Sequence, residues 1–196
     1  MRKFFQVMMG AALLSTAAFA QYDSFQVRYA ANLAAGDSVI NLTNAGSVNG
    51  FDPAGDICAN VYVFAEDQQL IACCACPLTP NHLRTLSTQN DLINNTLTPG
   101  VPIGVTVALL ATQETGNKCD PSAPGDTVPG LRAWGTTIHA VPGGGFGVTE
   151  TEFSKAELSP SEYAKLVSYC GFILADGSNY GICGSCKNGA AGAAKQ

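Results

Sequence analysis

The residues of this chain whose type and spacing could do chemistry are its cysteines. Two pairs follow the C-x-x-C spacing, Cys73 with Cys76 and Cys183 with Cys186. The full set of eight is Cys58, Cys73, Cys74, Cys76, Cys119, Cys170, Cys183 and Cys186. Cysteines in such patterns form structural disulfides, bind zinc, or exchange thiols with disulfides. Which of these chemistries applies depends first on the compartment in which the protein resides.

The N-terminus predicts export. Arg2 and Lys3 precede a short apolar segment from Phe4 to Leu14, and Ala18-Phe19-Ala20 matches a small-x-small cleavage site. We therefore expect residues 1–20 to be a signal peptide, and the mature protein to be secreted or periplasmic. In an oxidising compartment, structural disulfides are the first interpretation of all eight cysteines.

Strand geometry suggests some of the disulfide pairings. A polar run, Glu66-Asp67-Gln68-Gln69, separates two apolar segments and predicts a hairpin. A turn centred on Asp67 would place Cys58 opposite Cys76, so that the two could bridge the strands. Cys73 and Cys74 are consecutive in a strand and must point to opposite faces of the sheet.

A later cysteine is expected to fasten the C-terminal part of the chain. Cys170 could pair with a cysteine on the core face of the sheet, or with Cys183 or Cys186. Eight cysteines admit on the order of a hundred pairings, so the sequence leaves the full connectivity open.

Two alternative functions use the C-x-x-C pairs. Cys73, Cys76, Cys183 and Cys186 would form a zinc site if the two pairs converged. Cys183-Gly184-Ser185-Cys186 would form a thiol-disulfide exchange pair if it opened a helix. The oxidising compartment and the long gap between Cys76 and Cys183 disfavour zinc. Only ten residues follow Cys186, which disfavours a thioredoxin-like helix.

The elements that must position the cysteines are short strands with alternating apolar residues. A helical turn is expected at 88–95, and a Pro- and Gly-rich loop at 113–130 separates two halves of the domain. The predicted strands are 24–31, 39–42, 57–64, 70–76, 104–112, 131–141 and 146–153.

One helix is predicted near the C-terminus, at about 160–172. Ser159-Pro160-Ser161-Glu162 has the residues of a helix start and a capping box. Tyr163, Leu166, Val167 and Cys170 then recur on one face. These elements predict a mainly β, antiparallel, immunoglobulin-like β-sandwich of one domain, residues 21–188, with a disordered Gly/Ala tail at 189–196.

Other candidate sites have simpler structural explanations. The acidic loops 52–56 and 120–126 could bind calcium, although Asp, Pro and Gly are also ordinary turn residues. The chain has two histidines, His82 and His139, and the sequence lacks the motifs of serine or metal hydrolases. Trp134 could form a sugar-stacking platform, but a lone Trp in an apolar strand is more often part of the core.

The charge pattern bears on the class of partner. The chain has a net charge of −5, which becomes −7 when Arg2 and Lys3 leave with the leader. Its basic residues do not cluster, so we expect no nucleic-acid partner. No mature segment is apolar for long enough to span a membrane. The sequence leaves the partner open, with a protein or glycan at the cell surface as a candidate, and no cofactor or catalytic residue is predicted.

Several segments are similar to those of a group of uncharacterised secreted bacterial proteins that contain cysteines and have no assigned activity. The similar segments are 56–64, 73–81, 133–140, 170–173 and 180–183. The resemblance covers most of the mature chain and implies a shared fold and cysteine framework. It implies no catalytic residues, and a non-enzymatic binding or structural module is the leading hypothesis.

Overall fold

The computed structural model of the protein describes residues 23–48 and 55–186. The predicted signal peptide, 1–20, and the predicted Gly/Ala tail, 189–196, lie outside the described residues. Most of the first acidic loop, residues 52–54, lies outside them as well.

Within these ranges the chain forms nine strands, one α-helix and a short π-helical turn at Thr88–Leu92. The strands and helix are β1 (Phe25–Ala30), β2 (Val39–Asn44), β3 (Ile57–Phe64), β4 (Leu70–Leu78), β5 (Leu83–Ser87), β6 (Val105–Gln113), β7 (Leu131–Ala140), β8 (Phe146–Glu152), β9 (Ser154–Lys155) and α1 (Pro160–Asp176). The seven predicted strands and the predicted helix are all confirmed. β5 and β9 were not predicted.

The strands form two sheets. The five-stranded sheet has the order β4-β3-β6-β1-β9, and the four-stranded sheet has the order β5-β2-β7-β8. All pairings between these strands are antiparallel. The mainly β, antiparallel architecture is thus as predicted. The immunoglobulin-like order is not confirmed, because its first two strands share a sheet, whereas β1 and β2 lie in different sheets.

The main core lies between the two sheets. It takes alternate residues from both of them, such as Val61 and Leu109 from the five-stranded sheet and Leu42 and Leu131 from the four-stranded sheet. Alternation explains this arrangement, because every second side chain of a strand points to the same face. Each sheet therefore has an inner face of apolar side chains, and the two inner faces pack together.

The helix α1 covers the outer face of the five-stranded sheet. Leu166, Cys170 and Ile173 of α1 pack with sheet residues that include Tyr62 and Leu110. β3, β4 and β6 are consequently buried on both faces, and their sequences read as nearly continuous apolar runs. The Ser159 side chain caps the helix by accepting a hydrogen bond from the Glu162 N–H at 3.1 Å. Gly177 ends the helix at φ 68°, the left-handed conformation that glycine adopts readily.

A buried carboxylate connects the start of the described chain to β7 of the four-stranded sheet and to β9 of the five-stranded sheet. Asp23 is 6 % exposed and forms ion pairs with Arg132 and Lys155. Burial opposes ionisation of Asp23, but the hydrogen bonds and charges of Lys155 and Arg132 outweigh burial and hold its pKa below the usual value.

Candidate functional site

The eight cysteines form four disulfides, and no free cysteine is present among residues 23–48 and 55–186. The pairs are Cys58–Cys119, Cys73–Cys170, Cys74–Cys183 and Cys76–Cys186. Their Cα atoms lie 4.7 to 5.9 Å apart, within the range that a disulfide spans.

The predicted Cys58–Cys76 pairing is wrong by one position of strand register. Cys58 faces Pro77 across the hairpin, and Cys76 faces Ala59. Because side chains alternate along a strand, a one-residue shift puts Cys58 and Cys76 on opposite faces of the sheet. Cys58 instead reaches Cys119, in the loop between β6 and β7.

The opposite orientation of Cys73 and Cys74 is as predicted, and each has its own partner. Cys73 points to the outer face and binds Cys170, which fixes α1 on the sheet. Cys74 and Cys76 point to the inner face and bind Cys183 and Cys186. The C-terminal segment is therefore held at the inner face by two adjacent disulfides.

The pairing leaves neither C-x-x-C segment linked to itself. Cys73 and Cys76 bind partners in α1 and the C-terminal segment, and Cys183 and Cys186 bind back to β4. A thiol exchange pair would need a Cys183–Cys186 disulfide, and a zinc site would need four free thiolates. The structure brings three of these cysteines to the inner face but forms neither arrangement.

One cluster has the composition of a metal site. Cys58, Cys119 and Glu114 place their ligand atoms within 4.8 Å of one another. The two sulfur atoms are joined to each other, so they are not thiolate ligands. Burial and the nearby charge of Asp56 raise the pKa of Glu114, which makes its ionised form less favourable there.

In the second acidic loop, 120–126, the carboxylate of Asp120 forms hydrogen bonds within the turn that it begins. Asp120 Oδ1 accepts hydrogen bonds from the Ser122 N–H at 2.8 Å and from the Ser122 hydroxyl at 2.7 Å. These bonds are typical of an Asx turn. The first acidic loop, 52–56, which was the other candidate for calcium binding, is described only at Gly55 and Asp56.

The two histidines lie far apart in the fold. His82 immediately precedes β5, and its backbone N–H donates a hydrogen bond to the Thr79 carbonyl at 2.9 Å, which forms a turn. His139 is exposed on β7, and its Nε2 lies 2.9 Å from Thr149 Oγ1 on β8. Its hydrogen-bond partner is thus a hydroxyl group.

Trp134 lies on the outer face of the four-stranded sheet, and the expectation that it is part of the core is not met. Its neighbours Ala133 and Gly135 face the core, whereas Trp134 points away from it and is half-buried. Residues of all four strands share this outer face. They are Leu83, Thr85, Val39, Asn41, Thr43, Arg132, Trp134, Thr136, Ile138, Phe146, Val148, Glu150 and Glu152.

Polar side chains connect three strands of this outer face, β5 with β2, and β2 with β8 across β7. The Thr85 hydroxyl donates to Asn41 Oδ1 at 2.8 Å, and Asn41 Nδ2 donates to Glu150 Oε1 at 3.4 Å. Asn41 lies directly across from Trp134. The outer face therefore combines an aromatic ring with exposed hydrogen-bonding groups.

In addition to this outer face, an opening lies along the side of the sandwich, between β1 and β8. β9 pairs only with Gln26 and Val27, so the edge of β1 from Arg28 onward has no described strand beside it. We call this opening, of about 580 Å³, the lateral cleft. Its lining is Val27, Arg28, Tyr29, Thr106, Thr137, His139, Thr149, Thr151, Glu152 and Ser154.

Arg28 lines the lateral cleft and was not among the predicted site residues. It lies at an inward position of β1, is 8 % exposed, and has its pKa lowered by burial. Its guanidinium donates to the hydroxyl oxygens of Thr137 at 2.7 Å and of Ser38 and Thr151 at 3.3 Å. The alternation of β1 does place Arg28 on the same face as buried Ala30, which is the signal that could have revealed it.

Comparison with known protein families and with curated proteins finds no match. Among solved structures, the crystal structure of Thermotoga maritima 1070 is similar over 68 % of this chain and 97 % of that chain. The identity is 8 % and the TM-score is 0.39.

No helix in the described part of the chain is long and apolar enough to cross a membrane.

Proposed function

We propose that this protein is a secreted, non-enzymatic β-sandwich protein that acts as an envelope-associated or extracellular binding module. We further propose that the outer face of the four-stranded sheet binds a glycan. The observation that carries this proposal is the placement of Trp134 on that face, beside the hydrogen-bonded side chains of Asn41 and Thr85.

The scaffold supports a binding role outside the cytoplasm. One disulfide links β3 to the loop between β6 and β7, and the other three link β4 to α1 and to the C-terminal segment. Such cross-links are typical of proteins in oxidising compartments. All four lie in or beside the five-stranded sheet. They stiffen that sheet and leave the outer face of the other sheet available.

The chemistry of the outer face supports a glycan over an apolar ligand. An aromatic ring offers a flat apolar surface to the C–H groups of a sugar, and Trp also carries an N–H donor. Asn41, Thr85 and Glu150 provide amide, hydroxyl and carboxylate groups that can bond sugar hydroxyls. Exposed Phe146 extends the apolar part of this face.

Affinity electrophoresis and isothermal titration with soluble polysaccharides test this proposal. The panel should include water-soluble fragments or derivatives of cellulose, xylan, chitin and peptidoglycan. We expect the oxidised mature protein to bind at least one of them, and Trp134→Ala to weaken binding at least tenfold. Phe172→Ala is a matched control, because Phe172 is an aromatic residue 73 % exposed on α1 and away from this sheet.

Two results would reject the glycan proposal. One is the absence of binding to every member of the panel, and the other is equal affinity of the wild type and Trp134→Ala. The thiol or metal alternative would require free Cys73, Cys76, Cys183 and Cys186, and all four are in disulfides.

A further inference from the structure

The lateral cleft contains a positive charge that is not neutralised by its described surroundings. Arg28 forms none of the ion pairs found among residues 23–48 and 55–186. Its three hydrogen-bond acceptors are the neutral hydroxyl groups of Ser38, Thr137 and Thr151. A buried charge is unfavourable unless an opposite charge accompanies it.

Close contacts with the four-stranded sheet hold the Arg28 guanidinium in place. Gly135 of β7 lies directly against it, and a Cβ atom there would be 2.6 Å from Arg28 Nη1. Ser38 in turn donates its hydroxyl to the Thr136 carbonyl, so its oxygen remains an acceptor for Arg28. The guanidinium position is therefore fixed by β7, by Thr151 of β8 and by Ser38, the residue before β2.

The guanidinium retains capacity for another ligand. Of its five N–H groups, three are accounted for by Ser38, Thr137 and Thr151. The remaining two are on Nη1 and Nη2, which each carry two hydrogens and make one bond. The Thr137 hydroxyl accepts from Arg28 and can donate its own hydrogen into the cleft.

The rest of the cleft lining offers further donors. Thr149 and His139 form a hydrogen-bonded pair on the cleft side of β7 and β8. Glu152 also lines the cleft, but it is exposed and forms no ion pair with Arg28. Hydroxyl and imidazole groups around a guanidinium are suited to the oxygen atoms of an anion.

We propose that the lateral cleft is a binding site for an oxyanion, a carboxylate or sulfate group, whose oxygen atoms bond Arg28 and the hydroxyls of Thr137 and Thr149. Arg28, Thr137 and Thr149 lie on the inner side of their strands, opposite to the outer face with Trp134. Glu152, which borders both surfaces, is not among the groups that bond the anion, and the inference goes beyond the glycan proposal. The oxyanion is either a free inorganic ion or the charged group of an acidic sugar.

Nuclear magnetic resonance of the oxidised, ¹⁵N-labelled wild type provides the test. Sodium sulfate is titrated in one arm and sodium glucuronate in another, with sodium chloride and glucose as the respective references at matched ionic strength. We expect saturable shifts of the Arg28 Nε–H and of the Thr137, Thr149 and Thr151 amides. Saturation by sulfate alone identifies a free inorganic ion, and tighter binding of glucuronate identifies an acidic sugar.

Variants locate the bound anion. Arg28→Met is expected to weaken binding at least tenfold, and Thr149→Val severalfold. Thr115→Val, an exposed threonine outside the cleft, should bind as the wild type does. If Arg28→Met does not fold, the wild-type titration and Thr149→Val still decide, because Thr149 is exposed and its replacement spares the buried network.

The proposal would be overturned by shifts that do not saturate, or by shifts that chloride reproduces. It would also be overturned if saturable shifts lay away from the cleft, or if Thr149→Val bound the anion as tightly as the wild type. Failure here leaves the glycan proposal untouched, because Trp134 lies on the other face of the sheet.

Discussion

Removal of the Cys58–Cys119 disulfide is expected to destabilise the protein more than removal of Cys76–Cys186. Two double variants are compared, Cys58→Ala with Cys119→Ala and Cys76→Ala with Cys186→Ala. Taken singly, the two links would rank the other way, because Cys76–Cys186 joins residues 110 positions apart and Cys58–Cys119 joins residues 61 apart. The reversal arises from the neighbouring link, Cys74–Cys183.

The magnitudes follow from the loop that each disulfide closes in the unfolded chain. With Cys74 already bound to Cys183, Cys76 and Cys186 close a ring of only about seven residues, which corresponds to about 2.4 kcal/mol of chain entropy at 25 °C. The other three disulfides provide no shortcut between Cys58 and Cys119. Their link closes a loop of about 60 residues, which corresponds to about 4.3 kcal/mol.

Urea unfolding of the two oxidised double variants, followed by circular dichroism, measures the difference. All four cysteines are at most 9 % exposed, so the cost of truncation to alanine is similar in the two variants. We expect the variant without Cys58–Cys119 to be less stable by about 2 kcal/mol. Equal stability, or a lower stability of the variant without Cys76–Cys186, would refute the nested-loop reasoning.

Three further substitutions probe single interactions, each measured by urea unfolding. Asp23→Asn should cost about 1–2 kcal/mol near pH 7, because it removes charge-assisted hydrogen bonds. The pKa of Asp23 is lower in the folded state, so its contribution to the free energy of unfolding is present above the unfolded-state pKa and is lost as the pH falls through the folded-state pKa. Asp23→Asn should therefore lose less stability than the wild type on acidification, and parallel stability profiles of the two proteins in acid would contradict this. Gly135→Ala should cost about 1–3 kcal/mol by crowding Arg28, whereas Gly100→Ala, with open space around it, should cost far less; similar losses would contradict the close contact. Tyr62→Phe should cost about 1 kcal/mol because the buried hydroxyl donates to a backbone carbonyl at 2.7 Å, and an unchanged stability would show that this bond contributes little.

The strands and the helix could be predicted because their signals are local. The alternation in β1 and the capping residues before α1 act over a few neighbouring residues, and both elements form where expected. β5 was missed because its outward side chains include exposed Leu83, which breaks the expected alternation of apolar and polar residues. β9 has only two residues and exists through its pairing with β1.

The disulfides and candidate sites depend on long-range geometry, which the sequence reveals less directly. A shift of one residue in the β3–β4 register was enough to misplace the partner of Cys58. Trp134 was assigned to the core because the sequence does not show which face of β7 is covered. The alternation of β1 places Arg28 on the face of Ala30, but the hydroxyl groups that surround it, such as that of Thr137 on β7, come from the other sheet and are set by the tertiary fold.

Peptide mapping of the exported protein without reduction tests most directly whether its cysteines are structural. Electron-transfer fragmentation cleaves S–S bonds and can separate the partners of adjacent Cys73 and Cys74. The predicted result is no free thiol and the four links Cys58–Cys119, Cys73–Cys170, Cys74–Cys183 and Cys76–Cys186. A Cys183–Cys186 link, or free thiols at the two C-x-x-C pairs, would contradict the account and favour a redox or metal function.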